Sequence, residues 1–505
     1  MIEVRKKPPK VITVSTLRFL LVCSFLGQVI LFLFAPEEVN KAFVVLNLVS
    51  ALISTIIFFL FSMVIQKGFQ LLSISTLFIL SFSIVHFQIP FFFTLDIAAS
   101  TSFLEYFLWG NLDVICRSVS ISTLGLIAFF VGYSMFAAKK RKFAAAYPSF
   151  YWLQRKSNAN FLVWGAVISY IVFFLSSGSY RYGAYYAGDA SPVAQYFFTI
   201  FDTFLSAAIV WRIYCFVMLD EPNTKLGRYL SFFGPTLLGL LTWHLAFSVF
   251  VGDRGPVIYY LILSSSIYFV RCTRFGLLHL ALIMLISVPA LNIMGASRSR
   301  SLDVGYSDRI SQGVSGSNER FNKYFSGGSI FLSGTIELAL SVRTLNHAIL
   351  NVPSTLSHTY GTFQIQQILA VFPGVVGNYL KIVHGGDKKM DGSANFVSFL
   401  IQGEHIEYGD GTTPSADLYL DFGVLGVVLG FYCFGVFSYR ADLCILKGTP
   451  SSLFLWVSAM LFLAGGIYLA RGTFLFYFQK VVFVYFSIVL SNSLNSLARG
   501  RGIAR

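Results

Sequence analysis

Charge is what this 505-residue sequence has least of: Asp, Glu, Lys and Arg together make up 12% of it, about half the share usual in a soluble domain. With 56% hydrophobic residues and a mean hydropathy of +0.70, it does not fit a water-soluble fold. Cysteine is also sparse. Cys23, Cys116, Cys215, Cys272, Cys433 and Cys444 all lie in or beside apolar runs, so no disulfide framework and no thiolate metal site are expected. The GxxxxGK[ST] phosphate loop is missing, as is a GxGxxG fingerprint between a strand and a helix. Direct use of ATP or a nucleotide sugar is therefore not indicated. There is no Asp-X-Asp pair to present a divalent ion to a nucleotide diphosphate. No internal repeat is visible, which removes one support for a transporter built from duplicated halves. Residues 1–10 are basic, and the apolar run after them lacks a small-residue cleavage pattern. The first helix is thus expected to stay in place as an anchor.

What the sequence does have is apolar length. Phe alone contributes 54 residues, and aromatics make up 17%, which suits lipid-facing surfaces and interfacial belts. A hydrocarbon core of about 30 Å needs about 20 apolar residues of helix. Runs of that kind fall at residues 17–35, 42–65, 70–92, 119–138, 161–178, 194–219, 230–251, 256–270, 277–294, 418–439, 452–470 and 473–494. The predicted fold is an all-α polytopic integral membrane protein of about twelve transmembrane helices. Its parts are a membrane region at 1–294 with about nine helices, a long loop at 295–415, and a membrane region at 416–505 with about three.

The distribution of basic residues gives the sidedness. A net charge of +14 could suggest nucleic acid, but the lysines and arginines sit in short connections and not on one soluble face, so no nucleic-acid partner is expected. One set of alternate connections holds Arg5, Lys6, Lys7, Lys10, Arg18, Lys67, the run Lys139 to Lys142, Arg155, Lys156, Lys225, Arg228, Arg271, Arg274, Arg440, Lys447, Arg499, Arg501 and Arg505. Short connections on the other side hold only Lys41, Arg117, Arg181, Arg254 and Arg471. The positive-inside rule then places both termini in the cytoplasm and the loop 295–415 outside.

A loop of that length in a compact protein is usually functional or disordered, and its pattern favours structure. Leu338, Val342, Leu345 and Ile349 repeat at four, three and four residues, the stripe of an amphipathic helix over 337–350. A second half-apolar run covers 363–372 and stops before Pro373-Gly374. Both are too short to span and are expected to lie on the outer membrane surface or to cap a cavity.

Charged groups inside hydrocarbon are functional candidates. Asp202, Arg212, His244 and Lys480 qualify, against the plainer readings of snorkelling for Arg212, a structural ion pair for Asp202 or Lys480, and a hydrogen-bonded packing role for His244. The arginines expected outside are more informative, since topology disfavours them. They are Arg181, followed by Tyr182; Arg254, in Gly252-Asp253-Arg254-Gly255-Pro256; and Arg298 with Arg300. A guanidinium fork binds phosphate oxygens bidentately and keeps its charge at any accessible pH, so such arginines suit a diphosphate at the membrane surface. Headgroup contacts are the competing role. Tyr182 and its neighbouring tyrosines could stack on sugars or form part of the interfacial belt. Glu404, His405 and Glu407 resemble a metal cluster only weakly, and a solvated loop is the expected reading, with no metal and no cofactor.

The loop ends in Gly411-Thr412-Thr413-Pro414-Ser415-Ala416-Asp417-Leu418-Tyr419-Leu420-Asp421-Phe422-Gly423-Val424-Leu425-Gly426. This resembles the Thr/Pro/Ser, Tyr, Phe-Gly-x-x-Gly helix entry of the Wzy-type oligosaccharide repeat-unit polymerases. The arginine-bearing turn at 252–256, the Arg298/Arg300 pair and the long loop before the last spans are similar too. The resemblance implies a glycosyltransferase of the bacterial cytoplasmic membrane. It would transfer a growing glycan from undecaprenyl diphosphate to a lipid-linked repeat unit, in the company of membrane lipids, a chain-length regulator and a flippase. Arg254, Arg298 and Arg300 would then clamp the diphosphate, with Arg181, Tyr182, Arg471 and Tyr419 binding substrate. The acceptor proton could pass to Asp253, Glu337, His358 or Asp417, and the sequence does not choose among them. An O-antigen ligase with the same donor and a lipid-linked oligosaccharide flippase are the rival readings.

Overall fold

The computed structural model describes residues 13–96 apart from 67 and 69, then 114–137, 159–183, 191–219, 224–273, 330–448 and 452–502, with scattered positions between 285 and 311. Arg298, Arg300 and most of the run 277–294 lie outside the described residues. Among those described there are seventeen α-helices and no strand. In chain order they are α1 (Val14–Leu33), α2 (Lys41–Gln66), α3 (Ile74–Thr94), α4 (Ile115–Ala137), α5 (Asn160–Ser176), α6 (Pro192–Met218), α7 (Leu226–Ser231), α8 (Pro235–Val251) and α9 (Arg254–Arg271). After the long loop begins come α10 (Ile330–Ala339), α11 (Val342–Asn351), α12 (Thr362–Leu369), α13 (Val375–His384), α14 (Ser393–Gln402), α15 (Pro414–Lys447), α16 (Leu453–Ala464) and α17 (Phe478–Gly502).

Helices α1, α2, α3, α4, α6 and α15 are long and apolar enough to cross a bilayer, and α5, α8, α16 and residues 478–494 are shorter apolar helices. The protein is an all-α, multi-pass membrane protein. Every predicted span apart from 277–294 coincides with one of these helices or with α9. The bundle has an inside and an outside of its own: α4 is 83% buried over its most apolar stretch, whereas α1 is only 17% buried. Helix α4 is therefore the axis and α1 a lipid-facing post.

Close packing of α4 against α15 depends on absent side chains. A Cβ on Gly132 would stand 2.1 Å from the Tyr432 carbonyl oxygen, and one on Gly435 would stand 2.1 Å from that of Phe129. The two backbones touch, as small residues allow where lipid supplies no hydrophobic drive between helices. Buried polar side chains add the remaining fastenings. Gln28 Nε2 donates to Asn47 Oδ1 (2.6 Å) and Ser120 Oγ (3.1 Å), joining α1, α2 and α4. His86 sits between the hydroxyls of Ser122 and Ser415, 3.2 Å from each, and joins α3, α4 and α15. Asp442 accepts the Ile74 backbone N–H (2.7 Å) and the Ser75 hydroxyl (2.6 Å), capping the start of α3.

Three local features depart from the sequence reading. The amphipathic stretch at 337–350 is two helices, because the chain turns between Ala339 and Val342; Val342, Leu345 and Ile349 are buried as the stripe requires. The loop also contains α13 and α14, which the apolar pattern did not single out. The final hairpin is broken more deeply than two continuous spans at 452–470 and 473–494 would allow. Helix α16 stops at Ala464 and α17 begins at Phe478. At the end of α16 the Tyr477 ring lies against Gly465, where any Cβ would fall 2.1 Å from it.

Candidate functional site

The break between α16 and α17 delivers Arg471 to a charged cluster built from three separate stretches of chain. Helix α8 ends on Gly252 in a left-handed conformation (φ 84°), the chain reverses, and Asp253 caps α9 by accepting the Gly255 N–H at 3.3 Å. That places Arg254 in the first turn of an 18-residue helix, where the helix dipole favours anions. The Arg254 guanidinium pairs with the Glu337 carboxylate from α10. Arg471 Nη1 approaches the other oxygen of the same carboxylate at 3.4 Å. Tyr468 lies within electrostatic reach of Arg254, Asp253, Arg471 and Glu337 together. Accessibility is graded: the Arg254 side chain is 13% exposed, Arg471 31% and Glu337 42%. The deepest member is thus a cation at a helix start, with a more open anion in front of it.

Of the residues singled out from sequence, Arg254 and Arg471 are brought together here. Arg181 and Tyr182 belong to a short 3-10 turn, Gly178–Tyr182, on another connection. There Arg181 donates to the Leu175 carbonyl at 3.2 Å and stacks 4.8 Å from the Tyr182 ring. Among the described residues no hydrogen bond or ion pair joins it to the Arg254 cluster.

His358, Asp417 and Tyr419 gather at a second place, the kink of α15 at Gly423 (φ 64°, ψ −154°). A kink releases helix carbonyls from their usual partners, and these are taken up locally. His358 Nδ1 lies 3.1 Å from the Tyr419 carbonyl and 3.3 Å from that of Leu420, while the Thr359 N–H donates to Leu420 at 3.0 Å. Asp421, which the sequence reading passed over, accepts the Phe363 and Gln364 backbone N–H groups at 3.3 and 3.0 Å and so caps α12. Fully buried Asp417 receives the side-chain amides of Gln364 (2.7 Å) and Gln367 (3.1 Å) and the Phe474 N–H (2.8 Å). The Tyr419 hydroxyl donates to the Val352 carbonyl at 3.1 Å. Asp417 is linked to the cluster at one remove, since Phe474 belongs to the turn that carries Arg471.

Other charges are held in place by neighbours. Asp202 and Lys480 form an ion pair at 2.7 Å, with the Tyr260 hydroxyl donating to Asp202 at 2.5 Å and the ammonium 3.8 Å above the Tyr259 ring. Their plainer reading, a structural pair, is what the geometry matches. His244 packs among the rings of Phe201, Tyr260 and Tyr170 at 4.8 to 5.8 Å. Among the described residues neither ring nitrogen has a hydrogen-bond partner, unlike the hydrogen-bonded packing role expected of it. In the loop, Arg343 pairs with buried Asp410, which also accepts from Gln402 at 2.5 Å. Beside them burial, followed by the Arg343 charge, pulls His347 down to about 4 and keeps it neutral. Glu404 pairs with Lys389 at 2.6 Å, and His405 and Glu407 are exposed. Among the described residues no three His, Cys, Asp or Glu side chains stand close enough to share a metal ion.

Partners for Arg254 and Arg471 were not apparent from spacing, because Glu337 is 83 residues from the first and 134 from the second. Tyr468 gave no signal either, lying inside what reads as an uninterrupted apolar run.

Comparison with known proteins gives a result at the level of the family. No curated protein matches the chain, and no solved structure does. A family model described as O-antigen polysaccharide polymerase Wzy matches residues 16–491. With nearly the whole chain matched, from α1 into α17, this protein belongs to the O-antigen polysaccharide polymerase Wzy family.

Proposed function

We propose that the protein polymerises undecaprenyl-diphosphate-linked repeat units on the outer face of the bacterial cytoplasmic membrane, with Arg254 and Arg471 binding the donor diphosphate. One observation carries the reading: two arginines from separate helix junctions converge on a single carboxylate at the start of α9. In the reaction an acceptor hydroxyl oxygen bonds to the anomeric carbon of the donor glycan. The bond from that carbon to the diphosphate breaks, the hydroxyl proton leaves, and undecaprenyl diphosphate departs. The leaving group arrives already activated, so the protein's task is to orient two lipid-borne sugars and to stabilise charge growing on phosphate. Paired guanidiniums in a partly water-excluded site suit that task. An apolar groove of about 590 Å³ between α6 and α17, lined by Phe204, Phe483, Phe486 and Leu490 among others, gives a polyprenyl chain a place beside the bundle.

In this reading both termini lie in the cytoplasm, a flippase and a chain-length regulator act before and alongside the enzyme, and catalysis proceeds without a metal. Purified protein incubated with lipid-linked repeat units should give a ladder of products on a gel. A single transfer to a lipid core would instead mark a ligase, and relocation without a new bond a flippase. The ladder should survive EDTA; its loss, with recovery on adding a divalent ion, would overturn the metal-free mechanism.

A further inference from the structure

Glu337 is placed where a phosphate would be expected. Its two oxygens are each turned toward a different guanidinium, one toward Arg254 and the other toward Arg471. Carboxylate and phosphate present the same kind of acceptor to an arginine fork. Two guanidiniums converging with no anion between them would repel each other, and long basic side chains relieve such repulsion by turning out toward water. The carboxylate therefore keeps both arginines aimed at one point. It is also the most accessible of the three, at 42% exposed against 13% for Arg254. An anion arriving from solvent meets Glu337 before it meets Arg254, and the displaced carboxylate has water to move into.

We propose that Glu337 is a built-in counter-anion of the diphosphate site: it occupies the arginine pair when substrate is absent, gives way to the donor diphosphate, and returns as the diphosphate product leaves. The inference rests on the reading of Arg254 and Arg471 as diphosphate ligands. Glu337 is then a positioning residue that acts through the two arginines. An internal competitor lowers the apparent affinity for an anion by the fraction of time it fills the site. It therefore weakens binding of substrate and product alike and helps a doubly charged leaving group to dissociate.

The test measures binding of inorganic pyrophosphate to the purified full-length protein, by calorimetry, for the wild type and for Glu337→Gln, Glu337→Asp and Arg254→Ala. Glutamine keeps the shape of glutamate but not its charge, and its amide oxygen can accept from only one of the two guanidiniums. Glu337→Gln should bind pyrophosphate about tenfold more tightly than the wild type, and Glu337→Asp, with a shorter reach, should fall between them. In turnover assays on lipid-linked repeat units the Gln variant should show a lower KM and stronger inhibition by the diphosphate product. An ion pair serving stability alone would lower the melting temperature and leave the affinity order flat. Binding that is equal or weaker in Glu337→Gln, while Arg254→Ala abolishes it, overturns the counter-anion role and leaves the diphosphate site standing. Binding that persists unchanged in Arg254→Ala overturns the site itself, and this inference with it.

Discussion

The protein places carboxylates in two contrasting settings. At the kink of α15, Asp417 and Asp421 are fully buried and surrounded by donors from α12 and from the turn that carries Arg471. At the start of α9, Glu337 is half-exposed and in direct contact with two arginines. A carboxylate enclosed by backbone N–H groups acts as a fastener, since exchanging it for another ligand would strand every donor it satisfies. An accessible carboxylate on guanidiniums can be exchanged, because water and another anion can both replace what it gives up. Fixed loop helices and an exchangeable charged site thus lie within a few residues of each other, linked through Phe474.

Arg254→Ala should produce the largest change that tests this contrast. Turnover per correctly inserted molecule should fall by about a hundredfold or more, the effect of losing one charge-assisted contact to a developing anion in a sheltered site. Membrane insertion should stay near normal. Arg254→Lys should recover only part of the activity, because lysine keeps the charge but not the fork. Full rescue by lysine together with poor insertion of the alanine variant would point to a headgroup contact instead.

Asp421→Ala should behave in the opposite way. Two backbone N–H groups at the start of α12 would lose their acceptor, at about 1–3 kcal/mol for each donor left unsatisfied. The expected readout is a lower melting temperature and faster proteolysis within residues 353–374, with activity falling only as folded protein is lost. A large turnover defect in protein that melts normally would move Asp421 out of the fastening group. His358→Gln should be milder still. A glutamine amide can donate to the carbonyls of Tyr419 and Leu420, and most activity should remain unless the ring also handles the acceptor proton.

A further test concerns pH, and its effect is confined to the acid range. Burial holds His347 at about 4 in the folded protein, against about 6.5 in an unfolded chain. The unfolded state therefore binds more protons once pH falls below about 6.5, and stability declines from there until pH approaches 4. His347→Gln should flatten that portion of a melting-temperature profile and leave the profile above pH 7 unchanged.

Much of this organisation is legible in the sequence wherever the signal is local. Apolar runs locate the spans because the bilayer imposes one length on all of them. Arg254 and Arg471 stand out because they break the basic asymmetry of the connections. What escapes is set by tertiary contact. The turn between Ala339 and Val342 interrupts no hydrophobic period. The stretch around Tyr468 between α16 and α17 is as apolar as a helix, and the packing of Tyr477 against Gly465 there is a tertiary contact. Glu337 reads as one carboxylate among several until the fold brings it between the two arginines. Helices α13 and α14 carry apolar stripes of their own, Val376, Leu380 and Val383 in the first and Phe396, Val397 and Leu400 in the second, which the sequence reading passed over.

The contact of Gly132 with Tyr432 and of Gly435 with Phe129 bears on how such an enzyme can be re-engineered. Two helices that meet backbone to backbone cannot slide without collision, so α4 and α15 form a fixed mast. The loop helices are moored to that mast through Asp417, Tyr419 and Asp421. A chimera that borrows residues 330–413 from a relative can exchange the loop helices while the mast keeps its shape. The graft should succeed or fail on whether the borrowed loop still offers groups for those three side chains to hold.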